Sequence, residues 1–384
     1  MNDSTLKFTE NELPTSSFSC GPGQGLLSVR NAHLYETFFE RSHRAADVTF
    51  NGLYKQCTEN LRQLLCVPVN YTLLFFPGGA TAAMDAVLWS LAQDTISGVD
   101  LGAFSHLWCD ELTERLPNAT RKLVTADKNF LPTGLPDTSA SLILLTPNET
   151  STGVQLTDEY LQTVWNTRGK NTIVAWDTTS CAAGRNLPAD TYDVMLFGLQ
   201  KCLGAGGGTC CVVLSPRAVE RAQQHSRQIP YFLDLKNALT YTDKFQTLNT
   251  PSTINIWMAN EACKWMLAHG GISAMDKLCR AHADYLVNWA QQSTWIRPLI
   301  ADDTHRSFTT LTLEITNPHV SGEKIAEVLR ATGKQNLMDG LKKYRTVAQN
   351  SLRIACFPFV DTEGVEQYKK LTAVLDKIAQ QFEK

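Results

Sequence analysis

Between residues 50 and 215 short apolar runs alternate with longer mixed ones. Tyr71-Thr-Leu-Leu-Phe-Phe76 has the length and composition of a strand and stops at Pro77-Gly-Gly79. Thr81 to Ala92, rich in Ala, Leu and Met, reads as a helix. Ser141-Leu-Ile-Leu-Leu-Thr146 is a further apolar run, halted by Pro147, and Val174-Ala-Trp176, Val194-Met-Leu-Phe197 and Cys210-Cys-Val-Val-Leu214 complete the set. Runs without polar alternation are expected where a strand is covered on both faces. Their alternation with helical stretches predicts an α/β domain built on a large mixed, mostly parallel sheet.

The pattern changes in the last third. Ile272 to Gln292 is helical in pattern, and Ser307-Phe-Thr-Thr-Leu-Thr-Leu-Glu-Ile315 alternates like a half-exposed strand. Ser321 to Ala331 reads as a helix and Leu352-Arg-Ile-Ala-Cys-Phe357 as a strand. Thr362 to Lys384 reads as an amphipathic helix capped by Thr362. These elements predict a smaller α+β domain. The expected division is an N-terminal segment, 1–15, packing with the small domain, a large domain, 16–268, and a small C-terminal domain, 269–384.

Composition narrows the class. The chain has 384 residues, 43% of them hydrophobic and 19% charged, as expected for a globular protein of two domains. A net charge of -3 offers no basic face for nucleic acid. No apolar stretch is long enough to span a bilayer, and Met1 to Glu10 lacks the pattern of a secretory signal, so a cytoplasmic location is expected. The 11 cysteines have no metal-ligand spacing. They are read as reduced, buried thiols with no zinc site, those of Cys210 and Cys211 pointing to opposite faces of a strand.

The chemistry is concentrated around Lys201. It lies in Leu196-Phe-Gly-Leu-Gln-Lys201-Cys-Leu-Gly-Ala-Gly-Gly-Gly208, downstream of the apolar run that ends at Asp177. A lysine in a loop of small residues can form a Schiff base with the aldehyde of pyridoxal phosphate. A buried carboxylate can hold the protonated pyridine nitrogen. Asp177 could instead be a helix cap, but the apolar residues before it place it at a buried strand end, where an unpaired carboxylate is costly. Pro77-Gly-Gly-Ala-Thr81 joins a strand to a helix, a place suited to phosphate or to a plain tight turn. Gly204 to Gly208 precedes a strand, which excludes a dinucleotide fingerprint and leaves room for a bulky cofactor. Phe104 is either core or a ring that stacks on the cofactor. Ser42-His-Arg44 is either a solvated helix face or a phosphate pocket. Arg353, inside an apolar run, calls for an anion, either a substrate carboxylate or a structural partner.

Taken together, these segments resemble the phosphoserine aminotransferase family, class V, fold-type I pyridoxal phosphate enzymes. The resemblance rests on Phe18-Ser-Cys-Gly-Pro22, Ser42-His-Arg44, Phe76 to Thr81, Pro147-Asn-Glu-Thr150, Asp177-Thr-Thr-Ser180 with Arg185, Gln200-Lys201, Leu248-Asn-Thr-Pro-Ser-Thr253 and Leu352-Arg353, in that order along the chain. It implies that Lys201 binds pyridoxal 5'-phosphate covalently and that Asp177 pairs with its ring nitrogen. Phe104 would stack on the ring and Thr150 bond its phenolic oxygen. Ala80, Thr81 and Gln200 would hold the phosphate, with Asn249 and Thr250 contributed by the neighbouring subunit of a homodimer. His43, Arg44, Arg345 and Arg353 would bind substrate.

The implied reaction is reversible amino transfer between L-glutamate and 3-phosphohydroxypyruvate, giving O-phospho-L-serine and 2-oxoglutarate, a step of serine biosynthesis. A related phosphorylated acceptor used in vitamin B6 synthesis is a second candidate. The sequence departs from the family at Phe104, where Trp is common, at Tyr344-Arg345, where His-Arg is common, and at Ser252, where a second Pro is common. The alternatives are an alanine–glyoxylate-type aminotransferase, a cysteine desulfurase and a cofactor-binding paralogue without catalysis. Gln200 in place of His before the lysine, and Cys356 in an apolar run, speak against a desulfurase.

Overall fold

The computed structural model describes residues 8–20, 24–30, 48–116, 118–332 and 347–382. Its centre is a seven-stranded sheet in the order β1-β9-β8-β7-β4-β2-β3. The strands are β1 (Thr72–Pro77), β2 (Thr95–Asp100), β3 (Thr120–Thr125), β4 (Leu142–Leu145), β7 (Ile173–Asp177), β8 (Val194–Gly198) and β9 (Thr209–Leu214). The pairs from β8 across to β3 are parallel, whereas β9 runs antiparallel to both β8 and β1. The sheet is therefore mixed and mostly parallel, as the apolar runs predict.

Both faces are covered, which explains the lack of alternation. Leu73, Phe75, Ile143, Val174, Trp176, Phe197 and Cys211 enter one apolar cluster, with Tyr54 and Leu61 of helix α1 (Val48–Leu64). Leu74, Phe76, Leu142, Ala175, Leu196 and Cys210 enter another, with Met84 and Val87 of helix α2 (Gly79–Leu91). Cys210 and Cys211 thus face opposite ways. Ten of the cysteines are buried and none is disulfide-bonded, but Cys66 is exposed, which corrects the expectation of uniformly buried thiols. It follows α1 at a left-handed backbone position in the turn that leads to β1, although its neighbours Leu65 and Val67 are apolar.

A second, three-stranded antiparallel sheet has the order β10-β11-β12, from β10 (Ile296–Pro298), β11 (Thr310–Ile315) and β12 (Ser351–Ala355). Helices α3 (Gly271–Gln292), α4 (Gly322–Ala331) and α5 (Glu366–Phe382) accompany it. Ser321 caps α4, its Oγ accepting from Lys324 N. The final helix starts at Glu366, four residues later than expected, and Thr362 does not cap it. Asp361 instead accepts the backbone N–H groups of Glu363, Gly364 and Gln367 and so organises the approach. β11 likewise begins only at Thr310, because Ser307 turns back to accept the N–H groups of Thr309 and Thr310. The N-terminal segment meets this part of the chain, with Thr15 N donating to Gln367 and Lys377 paired with Glu12. Among the described residues no helix is long and apolar enough to cross a membrane.

A small hairpin, β5 (Asn148–Glu149) with β6 (Val154–Gln155), joins the two sheets. Asn148 Nδ2 donates to Ser180 Oγ at 2.7 Å and to Thr310 Oγ1 at 3.1 Å. Ser307 N donates to the Gly153 carbonyl, and Gln155 N to that of His305. The buried Arg185 guanidinium holds both ends of the hairpin, donating to the carbonyls of Pro147 and Leu156. Gly153 cannot carry a side chain, since a Cβ there would lie 2.8 Å from Thr312 Oγ1 and its φ is +75°.

Candidate active site

In a parallel sheet the carboxyl ends of the strands leave a crevice for ligands. Here the loops after β1, β2, β4, β7 and β8 and the turn before β9 all meet at that edge. They enclose a cavity of about 410 Å³ lined by Gly78 to Thr81, Phe104, Asn148, Thr150, Asp177, Gln200, Lys201 and Gly207-Gly208, among others. Seven residues expected to hold a cofactor, Ala80, Thr81, Phe104, Thr150, Asp177, Gln200 and Lys201, are therefore brought together. Asn249 and Thr250 do not line it. Arg353, on β12, donates from Nη1 to the Thr150 carbonyl at 3.4 Å, next to the cavity. His43, Arg44 and Arg345 lie outside the described residues.

Lys201 is only 8% exposed, and its Nζ donates to the Cys20 carbonyl. Burial pushes its amine down to about 8, and the Arg353 guanidinium adds to the effect. At pH 7 about a tenth of such an amine is neutral, far more than of an ordinary lysine. Asp177, at the last position of β7, accepts from Thr179 N and Oγ1, both on Oδ1. Burial raises its carboxyl to about 6 despite those bonds. The two groups line one cavity, and burial pushes both toward their neutral forms.

At the other end, Gly78 (φ +90°) and Gly79 (φ +72°) turn the chain from β1 into α2. A Cβ at Gly78 would lie 2.6 Å from that of Ala82, so the turn needs glycine. Gly78 N donates to Gly208 O, which ties this turn to the glycine loop before β9.

Asn148, Glu149 and Thr179 lie within segments quoted from the sequence, Pro147 to Thr150 and Asp177 to Ser180, but the sequence reading gave none of them a role. Glu149 is fully buried and bonded to a turn 44 residues away, which no local pattern reveals.

The profile of the Aminotransferase class-V family matches residues 30–367. The chain belongs to the class-V aminotransferases. It is a pyridoxal phosphate-dependent transaminase of fold-type I. Among relatives of this class-V chain, the phosphoserine aminotransferase of Corynebacterium glutamicum is 32% identical over 371 residues, 94% of this chain and 93% of the relative. That of Nocardioides sp. is 30% identical over 90% of this chain and 92% of its own length. The crystal structure of a phosphoserine aminotransferase from Cytophaga hutchinsonii superposes with a TM-score of 0.82 at 25% identity, covering 94% of this chain and 98% of that one.

The cavity of the class-V chain fits pyridoxal phosphate on three observations. The buried Asn148 Oδ1 has no hydrogen-bond partner among the described residues. A Cβ on Gly207 or Gly208 would meet nothing within 4 Å, so these glycines leave open a cradle that side chains would fill. The donor set pairs a buried carboxylate with a buried amine, the two groups that ring nitrogen and aldehyde require.

Proposed function

We propose that the chain transfers the amino group reversibly between L-glutamate and 3-phosphohydroxypyruvate, with O-phospho-L-serine and 2-oxoglutarate as products. The support for this acceptor is the identity of 30% or more, over nine-tenths of the chain, to relatives named phosphoserine aminotransferase. In this reading the chain acts in serine biosynthesis in the cytoplasm, as a homodimer divided into domains 16–268 and 269–384.

Bound pyridoxal phosphate supplies an electron-accepting ring that stabilises negative charge at the substrate Cα. Lys201 Nζ would take the proton from that Cα and deliver it to the C4′ position of the cofactor, a task suited to an amine whose proton affinity burial has lowered. Asp177 keeps a proton on the ring nitrogen, and the resulting cation restores the carboxylate to its charged form. Phe104 forms the wall against which the ring rests, and Thr150 bonds its phenolic oxygen. Ala80, Thr81 and Gln200 hold the phosphate, aided by Asn249 and Thr250 from the neighbouring subunit. Arg353 binds the carboxylate of either substrate. His43, Arg44 and Arg345 supply positive charge for the phosphate or the glutamate side chain.

The test is an absorbance titration of the purified holoenzyme. Addition of O-phospho-L-serine should bleach the visible band of the bound cofactor, and 2-oxoglutarate should restore it. A band that ignores phosphoserine and responds to L-alanine would move the substrate to the alanine–glyoxylate type.

A further inference from the structure

Glu149 is buried, and among the described residues no lysine, arginine or histidine forms an ion pair with it. Its charge is met by hydrogen bonds instead. Oε2 accepts from Phe104 N at 3.2 Å, Ser105 N at 2.8 Å and Ser105 Oγ at 2.9 Å. Oε1 accepts from Ser151 N at 2.9 Å and Ser151 Oγ at 2.7 Å. Ser151 Oγ in turn accepts from Ala103 N at 2.9 Å. One carboxylate therefore joins the turn that carries Phe104 to the hairpin that carries Thr150. The contact is close: a Cβ on Gly102 would lie 2.5 Å from Ser151 Oγ and 2.8 Å from Glu149 Cγ.

We propose that Glu149 is a positioning residue of the cofactor site, a buried clasp that fixes the Phe104 ring relative to the Thr150 hydroxyl. The proposal rests on the reading of this cavity as the pyridoxal phosphate site. Phe104 is partly buried at the cavity wall, so packing alone leaves its turn free to shift. Charge-assisted bonds to backbone N–H groups are strong and directional, which suits a carboxylate to this task. An amide cannot replace it. Whichever way it is turned, its NH₂ faces N–H donors of Phe104 and Ser105 or of Ser151. Glu149 has a second effect, because its negative charge adds to the burial that raises the Asp177 carboxyl.

The experiment compares wild type, Glu149→Gln, Ser151→Ala and Gly102→Ala. The readouts are the dissociation constant for pyridoxal phosphate, the circular dichroism of the bound cofactor's visible band, and the melting temperature of the apo-protein. Glu149→Gln and Gly102→Ala should each weaken cofactor binding by about tenfold or more and reduce the induced dichroism, with Ser151→Ala smaller in the same direction. Only Glu149→Gln should also move the pH midpoint of the visible band, downward, since it alone removes a charge. If Glu149→Gln fails to fold, Ser151→Ala and Gly102→Ala decide the matter. Wild-type affinity and dichroism in the variants that fold would overturn the proposal. Failure of the wild type itself to bind pyridoxal phosphate would instead overturn the reading of the cavity.

Discussion

Lys201 Nζ stands 5.9 Å from the centre of the Phe104 ring, and both residues line the same cavity. The buried amine that would react is thus held near the aromatic wall that would support the cofactor ring.

Lys201→Ala should fold and lose transamination. Removal of the proton-transfer amine should lower the rate by about 10³-fold or more. Single-turnover absorbance with phosphoserine measures it, and turnover like that of wild type would remove Lys201 from the mechanism.

Asp177→Asn should separate stability from activity. In the apo-protein the Asp177 carboxyl is raised from 3.8 to about 6, so between those values the folded state binds more protons than the unfolded one. Stability contributed by this group is therefore lost as pH rises through 6. Asp177→Asn should make the apo-protein more stable at pH 7.5, by ~2 kcal/mol, with the difference vanishing near pH 4. The same variant should be nearly inactive. Denaturant midpoints at the two pH values, beside an activity assay, check both halves.

Arg44→Ala should raise the KM for phosphoserine by about tenfold or more while leaving that for unphosphorylated donors nearly unchanged. An equal loss for both would remove Arg44 from a phosphate pocket.

Gly207→Leu tests the cradle. Gly207 lines the cavity and a Cβ there meets nothing within 4 Å, so the apo-protein should accept the substitution with its melting temperature nearly unchanged. Cofactor affinity should fall. Unaltered binding would show that the cofactor does not use this space.

Cys66 should be the one thiol that a neutral alkylating reagent labels in the native protein. Burial pushes up the thiols of Cys57, Cys109, Cys202 and Cys356, among others. Peptide mass spectrometry would locate the label. Native labelling at Cys356 would reopen the desulfurase alternative.

The parts of the fold legible in the sequence were those where one physical rule acts alone. β1, β4, β7, β8 and β9 are buried on both faces and read as apolar runs. β2 escaped because Thr95-Ile-Ser-Gly-Val-Asp100 breaks the run for reasons of packing. A Cβ at Gly98 would sit 2.4 Å from Cys109 Sγ, and Ser97 Oγ bonds the Lys122 carbonyl. β3 escaped because it is a largely exposed edge strand, Thr-Arg-Lys-Leu-Val-Thr. Lys201 and Asp177 stood out because apolar or small neighbours flank each in sequence. Glu149 did not, because every group that it joins outside its own hairpin lies in a distant turn.

The hairpin of residues 148–155 has a consequence for engineering. Its stitches to Thr310, Arg353 and Ser307 cross from the cofactor cavity to two strands of the small sheet and to the turn that leads into one of them. That sheet cannot be exchanged for a relative's as an independent specificity cassette. A chimera that replaced β11 and β12 without the matching hairpin would lose its grip on the cofactor before any change in substrate choice could be read.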